Sequence, residues 1–310
     1  MERYQIISLD DSMVNGKIPW YIRCIGHKRW ENYVRKHLPH RVEKVIYLGE
    51  PGINIIIPLL QKRDGRTDLV LQRELVEKMI ERYDLDRVIY DQSLTQLMNI
   101  SEMAPTWIIR YIMFRNIYEE TIRLSNIKRQ DVRLVIIDEE SRKIEYIVES
   151  VMEELNYLTI LTHRPERFQL LQQKVYEETG LVIDVVDKES MVSLQGNLVV
   201  DLCHEGVFTY SCFSPDTYVI EMTGSEKKMA LVKELQVKQK VLESVDVLFG
   251  RDQLQLDMAS RIMCYCNWPL HQFAHYQNVC LAVTELSQIR EKYDMSLLQV
   301  QWTKGETLCT

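Results

Sequence analysis

The clearest pattern of apolar and polar positions lies between residues 132 and 222. Residues 132–137 form an unbroken apolar run, which is typical of a parallel strand covered on both faces. A stripe with helical spacing follows it, at Ile144, Ile147, Val148, Val151, Met152 and Leu155. Further apolar runs predict four more strands, at 158–161, 181–186, 198–202 and 218–222. Short connections between alternating strands and helices favour a right-handed parallel sheet of about five strands.

The helix between the second and third of these strands has clear start and stop signals. Pro165 suits a first helical turn, and Phe168, Leu171 and Val175 share an apolar face. Gly180 stands where a helix end favours a left-handed residue. This segment therefore predicts one helix that ends at Gly180.

Weaker patterns flank this region. Before it we predict strands at 4–8, 44–48, 54–57 and 87–90, and helices at 68–83 and 104–124. After it we predict a long helix at 225–248, helices at 254–263 and 276–290, and a strand at 297–302. The polar segment 125–131 lacks periodicity and predicts a domain boundary.

Composition narrows the class of protein. A chain of 310 residues exceeds a usual single core, and 46% hydrophobic with 27% charged residues is typical of a globular protein. The net charge of −7 argues against a general attraction to nucleic acid or to an anionic membrane. No signal-peptide pattern or membrane span is evident, and the seven scattered cysteines are typical of reduced thiols, so we predict a cytoplasmic protein.

One short motif suggests a family. Residues 159–167, Thr-Ile-Leu-Thr-His-Arg-Pro-Glu-Arg, resemble the end of the second strand in NAD(P)-binding domains of the shikimate dehydrogenase and glutamyl-tRNA reductase type. The resemblance extends over residues 132–222 and implies a Rossmann-like domain. It also implies that Thr162, His163 and Arg164 lie beside the adenine ribose, where Arg164 meets a 2′-phosphate.

The first turn departs from that family. Dinucleotide-binding folds place glycines after the first strand, so that the backbone approaches the diphosphate. Here the turn is Asp-Glu-Glu-Ser-Arg-Lys, residues 138–143. A like-charge pair at ~4 Å in a surface-like dielectric costs roughly 4 kcal/mol before screening. Since carboxylates and Ser141 also suit a helix start, we predict a structural turn and no cofactor.

We therefore predict an α/β protein of two lobes. Its parts are an N-terminal α/β domain (1–125), a Rossmann-like parallel sheet with helices on both faces (126–250), and a C-terminal helical segment that packs on the lobes (251–310). A ligand is expected in the inter-lobe cleft at the carboxyl ends of the strands. The residues proposed to bind it are Asp138, Ser141, Thr162, His163, Arg164 and Asp201.

The predicted function is a non-catalytic or regulatory binding protein on a Rossmann-like scaffold that has lost its phosphate loop. One alternative is an NAD(P)-dependent oxidoreductase with an acidic first turn and NADP as its cofactor. Another is a nucleic-acid or anion-binding protein that uses the basic, aromatic-rich residues 20–44.

The sequence leaves several points open. Cys264, Cys266, His271 and His275 have a spacing that zinc could use, although a reduced cysteine pair beside two histidines explains them as well. The sequence also leaves open the catalytic residues, the partner and a homodimer.

Overall fold

The structure of the chain is a computed structural model. It describes residues 3–10, 27–62, 66–85, 88–98, 105–139, 141–190, 194–204, 206–250, 252, 254–303 and 308–309. Contacts divide the chain into two compact units. Unit 1 comprises Met1–Ala104 and Leu254–Trp268, and unit 2 comprises Pro105–Gln253 and Pro269–Thr310.

Helices and strands alternate along much of the chain. The strands are β1 (Tyr4–Asp10), β2 (Arg41–Tyr47), β3 (Glu50–Pro58), β4 (Val88–Tyr90), β5 (Arg133–Ile137), β6 (Tyr157–Thr162), β7 (Ile183–Asp187), β8 (Leu198–Asp201), β9 (Tyr218–Glu221), β10 (Lys240–Phe249), β11 (Met295–Trp302) and β12 (Leu308–Cys309). The helices are α1 (His27–His37), α2 (Leu69–Tyr83), α3 (Gln92–Met98), α4 (Trp107–Ile112), α5 (Phe114–Ser125), α6 (Lys143–Val151), α7 (Gln169–Thr179), α8 (Glu226–Glu234), α9 (Leu256–Cys266), α10 (Trp268–His275) and α11 (Val283–Lys292).

Unit 1 contains a four-stranded sheet in the order β2-β3-β1-β4. β1 is parallel to β3 and β4, whereas β2 joins β3 as an antiparallel edge strand. Leu71, Leu75 and Met79 of α2 are buried in its core, as their helical spacing predicts. Asp68 caps α2 by accepting a hydrogen bond from the Leu71 amide.

Unit 2 contains an eight-stranded sheet in the order β12-β11-β10-β9-β8-β5-β6-β7. The strands β5 to β10 are parallel, and β11 and β12 continue the sheet antiparallel to their neighbours. Counted from β5, the parallel strands have the order 3-2-1-4-5-6, which defines the doubly wound Rossmann arrangement. The predicted fold class, an α/β protein with a Rossmann-like parallel sheet, is confirmed.

The centre of that sheet follows from its sequence. The apolar run of β5 is buried from Leu134 to Ile137, because neighbouring strands and helices exclude water from both faces. Gly180 ends α7 with φ of +76°, a left-handed conformation that explains the glycine. Both features agree with the prediction.

The long helix predicted at 225–248 is wrong. α8 begins at Glu226 behind the N-cap Ser225 but ends at Glu234, and residues 240–249 form β10. The second half carries Val241, Val245 and Val247 at odd positions, and β-branched residues favour a strand. Likewise, the helix predicted at 104–124 is two helices that meet at Met113. The helix predicted at 276–290 begins only at Val283.

The predicted domain bounds of 1–125, 126–250 and 251–310 differ from the two contact-based units. They remain a prediction, since units of dense contact need not coincide with parts that fold alone.

Candidate functional site

The carboxyl ends of β5 and β8 mark the place where the strand order of unit 2 reverses. β5 lies between β6 and β8, with Ile137 opposite both Leu161 and Asp201. The chain after β5 leads towards β6, and the chain after β8 leads towards β9, so the two connections diverge. Ligands of open α/β sheets bind in the crevice outside such a switch point. The residues that follow β5, β6 and β8 therefore define the candidate site.

Asp138 follows β5 directly and is almost fully buried. Its Oδ2 accepts a hydrogen bond of 2.9 Å from the Thr162 hydroxyl at the end of β6. Its carbonyl oxygen accepts hydrogen bonds from Lys188 Nζ and from the Cys203 thiol. Asp138 and Thr162 are thus brought together, as predicted, in a bond that joins two strand ends.

Asp201, at the end of β8, belongs to a buried polar cluster. Its Oδ2 lies 2.7 Å from Lys228 Nζ and accepts a hydrogen bond of 2.5 Å from the Tyr210 hydroxyl. The Lys228 ammonium also donates to the carbonyl oxygen of Cys203. Asp201 and Lys228 are both almost fully buried. The negative charge of the Asp201 carboxylate is therefore balanced by the Lys228 ammonium within unit 2.

Glu221, at the end of the next strand, carries the second buried carboxylate. Its Oε2 lies 2.7 Å from the Arg110 guanidinium of α4 and accepts the Gly224 amide hydrogen, and its Oε1 accepts the Thr223 amide hydrogen. Arg110 also donates to the carbonyl oxygen of Glu243. The pair of Arg110 and Glu221 and the pair of Lys228 and Asp201 form one charge-balanced group. We call it the buried quartet: Arg110, Asp201, Glu221 and Lys228.

Glu139 and His204 face each other across the switch point. Glu139 Oε1 accepts the His204 amide hydrogen at 2.9 Å, and Glu139 Oε2 lies 3.5 Å from His204 Nε2. Burial raises the pKa of the Glu139 carboxyl, although the hydrogen bond and positive charges nearby partly offset this effect. A half-buried carboxyl beside an imidazole can accept or release a proton.

Lys143, the first residue of α6, lies among aromatic rings. Its Nζ is 4.9 Å from the centre of the Trp107 ring and 5.5 Å from that of Phe273. Only 9% of the residue is exposed. Burial lowers the pKa of the Lys143 ammonium, while the nearby Glu139 acts in the opposite direction.

The first turn of α6 is already hydrogen-bonded. The Arg142 amide donates to the carbonyl oxygen of Gln277 at 3.0 Å, and the Lys143 amide donates to the Ser141 hydroxyl. These amides are the groups that hold a diphosphate in a glycine-rich loop. A phosphate at this turn would have to compete with both partners.

The predicted site residues divide into two groups. Asp138, Ser141, Thr162 and Asp201 are buried, whereas His163 and Arg164 are exposed. The Arg164 amide donates to the Thr162 hydroxyl, which fixes the turn after β6. All six lie at or just beyond the ends of β5, β6 and β8, and their role in ligand binding stays a prediction.

Sequence reasoning missed most of the charged groups around them. These are Arg110, Glu139 as a proton-handling group, Lys143, His204, Glu221 and Lys228. For Arg110 and Lys228 the available signal was a charged residue within the apolar face of a helix. Lys143 and His204 gave no such signal, because each lies in a polar segment.

Other predicted features have partial outcomes. Of the basic, aromatic-rich stretch 20–44, residues 20–26 lie outside the described part of the chain. Tyr33 of α1 packs on the core of unit 1, and Arg35 pairs with Glu74.

Among the described residues, no cluster of three or more His, Cys, Asp or Glu side chains is arranged to hold a metal ion. Cys264 is buried in α9, and the rings of His271 and His275 are 4.4 Å apart on α10. No helix in the described ranges is long and apolar enough to cross a membrane.

Comparisons with known proteins find similar solved structures but no family. No protein-family model matches the sequence, and a search of curated proteins finds no match. Solved structures similar to the chain include the ligand-free 5-ketofructose reductase of Gluconobacter sp. strain CHM43, with a TM-score of 0.35 and 10% identity over 93% of this chain and 98% of that one.

Two further matches are a shikimate 5-dehydrogenase and the protein HcgC. The shikimate 5-dehydrogenase of Listeria monocytogenes, in complex with shikimate and NAD, has a TM-score of 0.34 and 8% identity over 93% of this chain and 97% of that one. HcgC from Methanococcus maripaludis, cocrystallised with SAH and pyridinol, has a TM-score of 0.37 and 13% identity over 66% of this chain and 95% of that one. Because these TM-scores are below 0.5, the strand order, and not the comparison, carries the fold assignment.

The prediction that no cofactor is needed is wrong. The similar solved structures include dehydrogenases and a reductase, one of them in complex with NAD, in agreement with the predicted resemblance to the shikimate dehydrogenase type. Two carboxylates of the acidic turn are engaged within the protein, since Asp138 is buried against Thr162 and Glu139 accepts a hydrogen bond from His204. They therefore repel a diphosphate less than the sequence alone indicates.

Proposed function

We propose that the chain is an NAD(P)-dependent oxidoreductase whose cofactor binds at the carboxyl ends of β5, β6 and β8. The observation that carries this proposal is the strand order 3-2-1-4-5-6, which reverses where these polar strand ends meet. Such a crevice accommodates an adenine nucleotide in sheets of this order.

The groups around the crevice suit parts of such a cofactor. The turn after β6 is held by the buried Thr162 and presents the exposed Arg164, where an adenosine 2′-phosphate would lie. Arginine binds phosphate through paired hydrogen bonds, so Arg164 favours NADPH over NADH. Glu139 and His204 supply a carboxyl and an imidazole that can move the proton that accompanies hydride transfer.

The diphosphate must be held in a way that differs from a glycine-rich loop. The Arg142 amide is bonded to Gln277, and residues 138–143 include no glycine that would let the backbone come close. Cations near these strand ends, Arg142 and Lys143 on one side and Arg164 on the other, can offset the charge of the phosphates.

Cofactor titration tests the proposal. Purified protein is titrated with NADPH and with NADH while energy transfer from tryptophan to the dihydronicotinamide is recorded. We expect saturable binding of both. Arg164→Ala should weaken NADPH binding by about tenfold, since a hydrogen bond to a charged group contributes ~1.5–3 kcal/mol. NADH binding should change by less than about twofold.

Arg129→Ala is the matched control. Arg129 is an exposed arginine of unit 2 that pairs with Glu154, away from the carboxyl ends of β5, β6 and β8, and its loss should leave both affinities unchanged. Absence of saturable binding of either dinucleotide would disprove the proposal.

A second candidate is a cofactor that contains adenosine but no diphosphate, such as S-adenosylmethionine. The occupied amide of Arg142 and the acidic turn favour it, because such a cofactor needs no phosphate cradle and carries positive charge. The same titration separates the two. Binding of S-adenosylmethionine with no binding of NADH or NADPH would replace the oxidoreductase by this candidate.

A further inference from the structure

Lys143 is a largely buried lysine at the start of α6. Only 9% of the residue is exposed, and among the described residues no hydrogen-bond acceptor or carboxylate pairs with its Nζ. An ammonium carries three N–H donors, and without a protein acceptor those of Lys143 can be satisfied only by water or by a ligand. The position of Lys143 therefore needs a reason other than stability.

The aromatic rings around Lys143 account for only part of its environment. The faces of Trp107 and Phe273 attract the positive charge at 4.9 Å and 5.5 Å. They leave the N–H groups without oxygen acceptors, and they restrict the directions from which an acceptor can approach. The ammonium is thus held by apolar contacts and remains able to donate.

Two other lysines of the same unit show what a structural lysine looks like here. Lys228 is bonded to the Asp201 carboxylate and to the carbonyl oxygen of Cys203. Lys188 donates to the carbonyl oxygen of Asp138 and to the Cys203 thiol. Both have acceptors within the unit, whereas the part of the chain that the structure describes offers the ammonium of Lys143 none.

Two titratable groups, Glu139 and Cys280, act on the charge of Lys143. Burial raises the pKa of the Cys280 thiol to about 11, so the thiol is neutral at physiological pH. Burial also raises the pKa of Glu139, which weakens its repulsion of a second anion under mildly acidic conditions.

We propose that Lys143 binds an anionic oxygen group of a ligand, in a subsite framed by Trp107 and Phe273 at the start of α6. The subsite takes a carboxylate or a phosphate. The inference rests on the proposed function only for the source of that group, which is either the cofactor diphosphate or the carboxylate of a substrate. A charge-assisted hydrogen bond to the ammonium holds the anion.

Trp107 provides the readout, because its ring lies next to the ammonium. The wild-type protein is titrated at constant ionic strength with inorganic pyrophosphate and, separately, with pyruvate. We expect a saturable change in tryptophan emission with at least one of them, and loss of that change in Trp107→Phe. Affinity should fall as the pH rises, because Glu139 ionises and Lys143 loses its proton.

Variants of Lys143 decide the outcome. Lys143→Met keeps the aliphatic contacts and removes the charge, and it should weaken anion binding by at least about tenfold. Lys143→Arg should retain most of the binding. Lys174→Met removes an exposed lysine that pairs with Glu149 and should change nothing. Circular dichroism confirms that each variant is folded.

The results separate the two sources and the two proposals. Loss of pyrophosphate binding in Lys143→Met identifies a phosphate subsite, and loss of pyruvate binding identifies a carboxylate subsite. Unchanged binding in Lys143→Met, or no response of the wild type to either anion, overturns the inference. If anions bind through Lys143 and neither dinucleotide binds, the inference stands and the oxidoreductase proposal fails.

Discussion

Two neighbouring groups of charges in unit 2 differ in how completely they are paired. In the buried quartet, two carboxylates and two cations pair with one another and with backbone amides and carbonyl groups. In the turn after β5, Glu139 and Lys143 are partly or largely buried, yet their charges are only partly compensated. The two groups lie at the ends of adjacent parallel strands.

This difference in pairing distinguishes a group of charges with a structural role from a group that is available to a ligand. A fully paired buried group fixes the position of the elements that contribute to it, here α4, α8 and the ends of β8 and β9. An incompletely paired group lowers stability, and proteins retain such groups mainly where a ligand uses them. The pKa changes of Glu139 and Lys143, both caused first by burial, follow from that incomplete pairing.

Removing one cation of the buried quartet should have the largest effect on the free energy of unfolding. Arg110→Met leaves the Glu221 carboxylate buried without its partner, which should lower the free energy of unfolding by about 3–5 kcal/mol. Urea unfolding followed by circular dichroism measures the loss.

Two further variants show whether that loss comes from the unpaired charge. Adding Glu221→Gln to Arg110→Met removes the orphaned charge and should restore part of the stability. Arg129→Met breaks an exposed pair and should change stability by no more than about 0.5 kcal/mol. A similar small loss in Arg110→Met would contradict the structural role of the quartet.

Lys143→Met should raise the free energy of unfolding instead of lowering it. The pKa of Lys143 is lowered in the folded protein, so below that pKa both folded and unfolded chains are protonated and the folded protein carries the full cost of the buried charge. The variant should be more stable than the wild type at neutral pH by about 1 kcal/mol. As the pH rises towards the ordinary lysine pKa, this advantage should disappear. Unfolding curves at neutral and alkaline pH test it, and a destabilised variant would refute it.

Glu139→Gln should have the smallest effect on the free energy of unfolding, which should again increase. The pKa of Glu139 is raised in the folded protein, so ionisation above that pKa costs stability, whereas below the ordinary glutamate pKa both states are protonated. The amide oxygen of glutamine can still accept the His204 amide hydrogen. We expect a gain of about 0.5 kcal/mol near pH 8 that vanishes as the pH falls towards 4. Thermal unfolding across this range measures it.

The sequence predicted the parallel sheet because its strands are buried on both faces. The apolar run that became β5 and the stop signal at Gly180 depend on local chemistry alone. β10 was missed for a different reason. Its valines follow a helix with a good N-cap, and the connecting residues 235–239 include no glycine or proline to mark the end of the helix.

The site was only partly predictable. Asp138, Thr162 and Asp201 follow predicted strands, so their shared edge could be inferred. The burial of Asp138 against Thr162 could not, because it depends on the register between two strands. The environment of Lys143 depends on Trp107 and Phe273, which are 36 and 130 positions away in the sequence, and a sequence pattern does not reveal contacts of that range.

The hydrogen bond from the Arg142 amide to the carbonyl oxygen of Gln277 constrains any redesign of this protein. Grafting a glycine-rich loop onto residues 138–143 would change the turn but leave the segment around Gln277 anchored against it. A successful graft would also have to shorten or redirect that segment, so the two stretches form one unit for engineering.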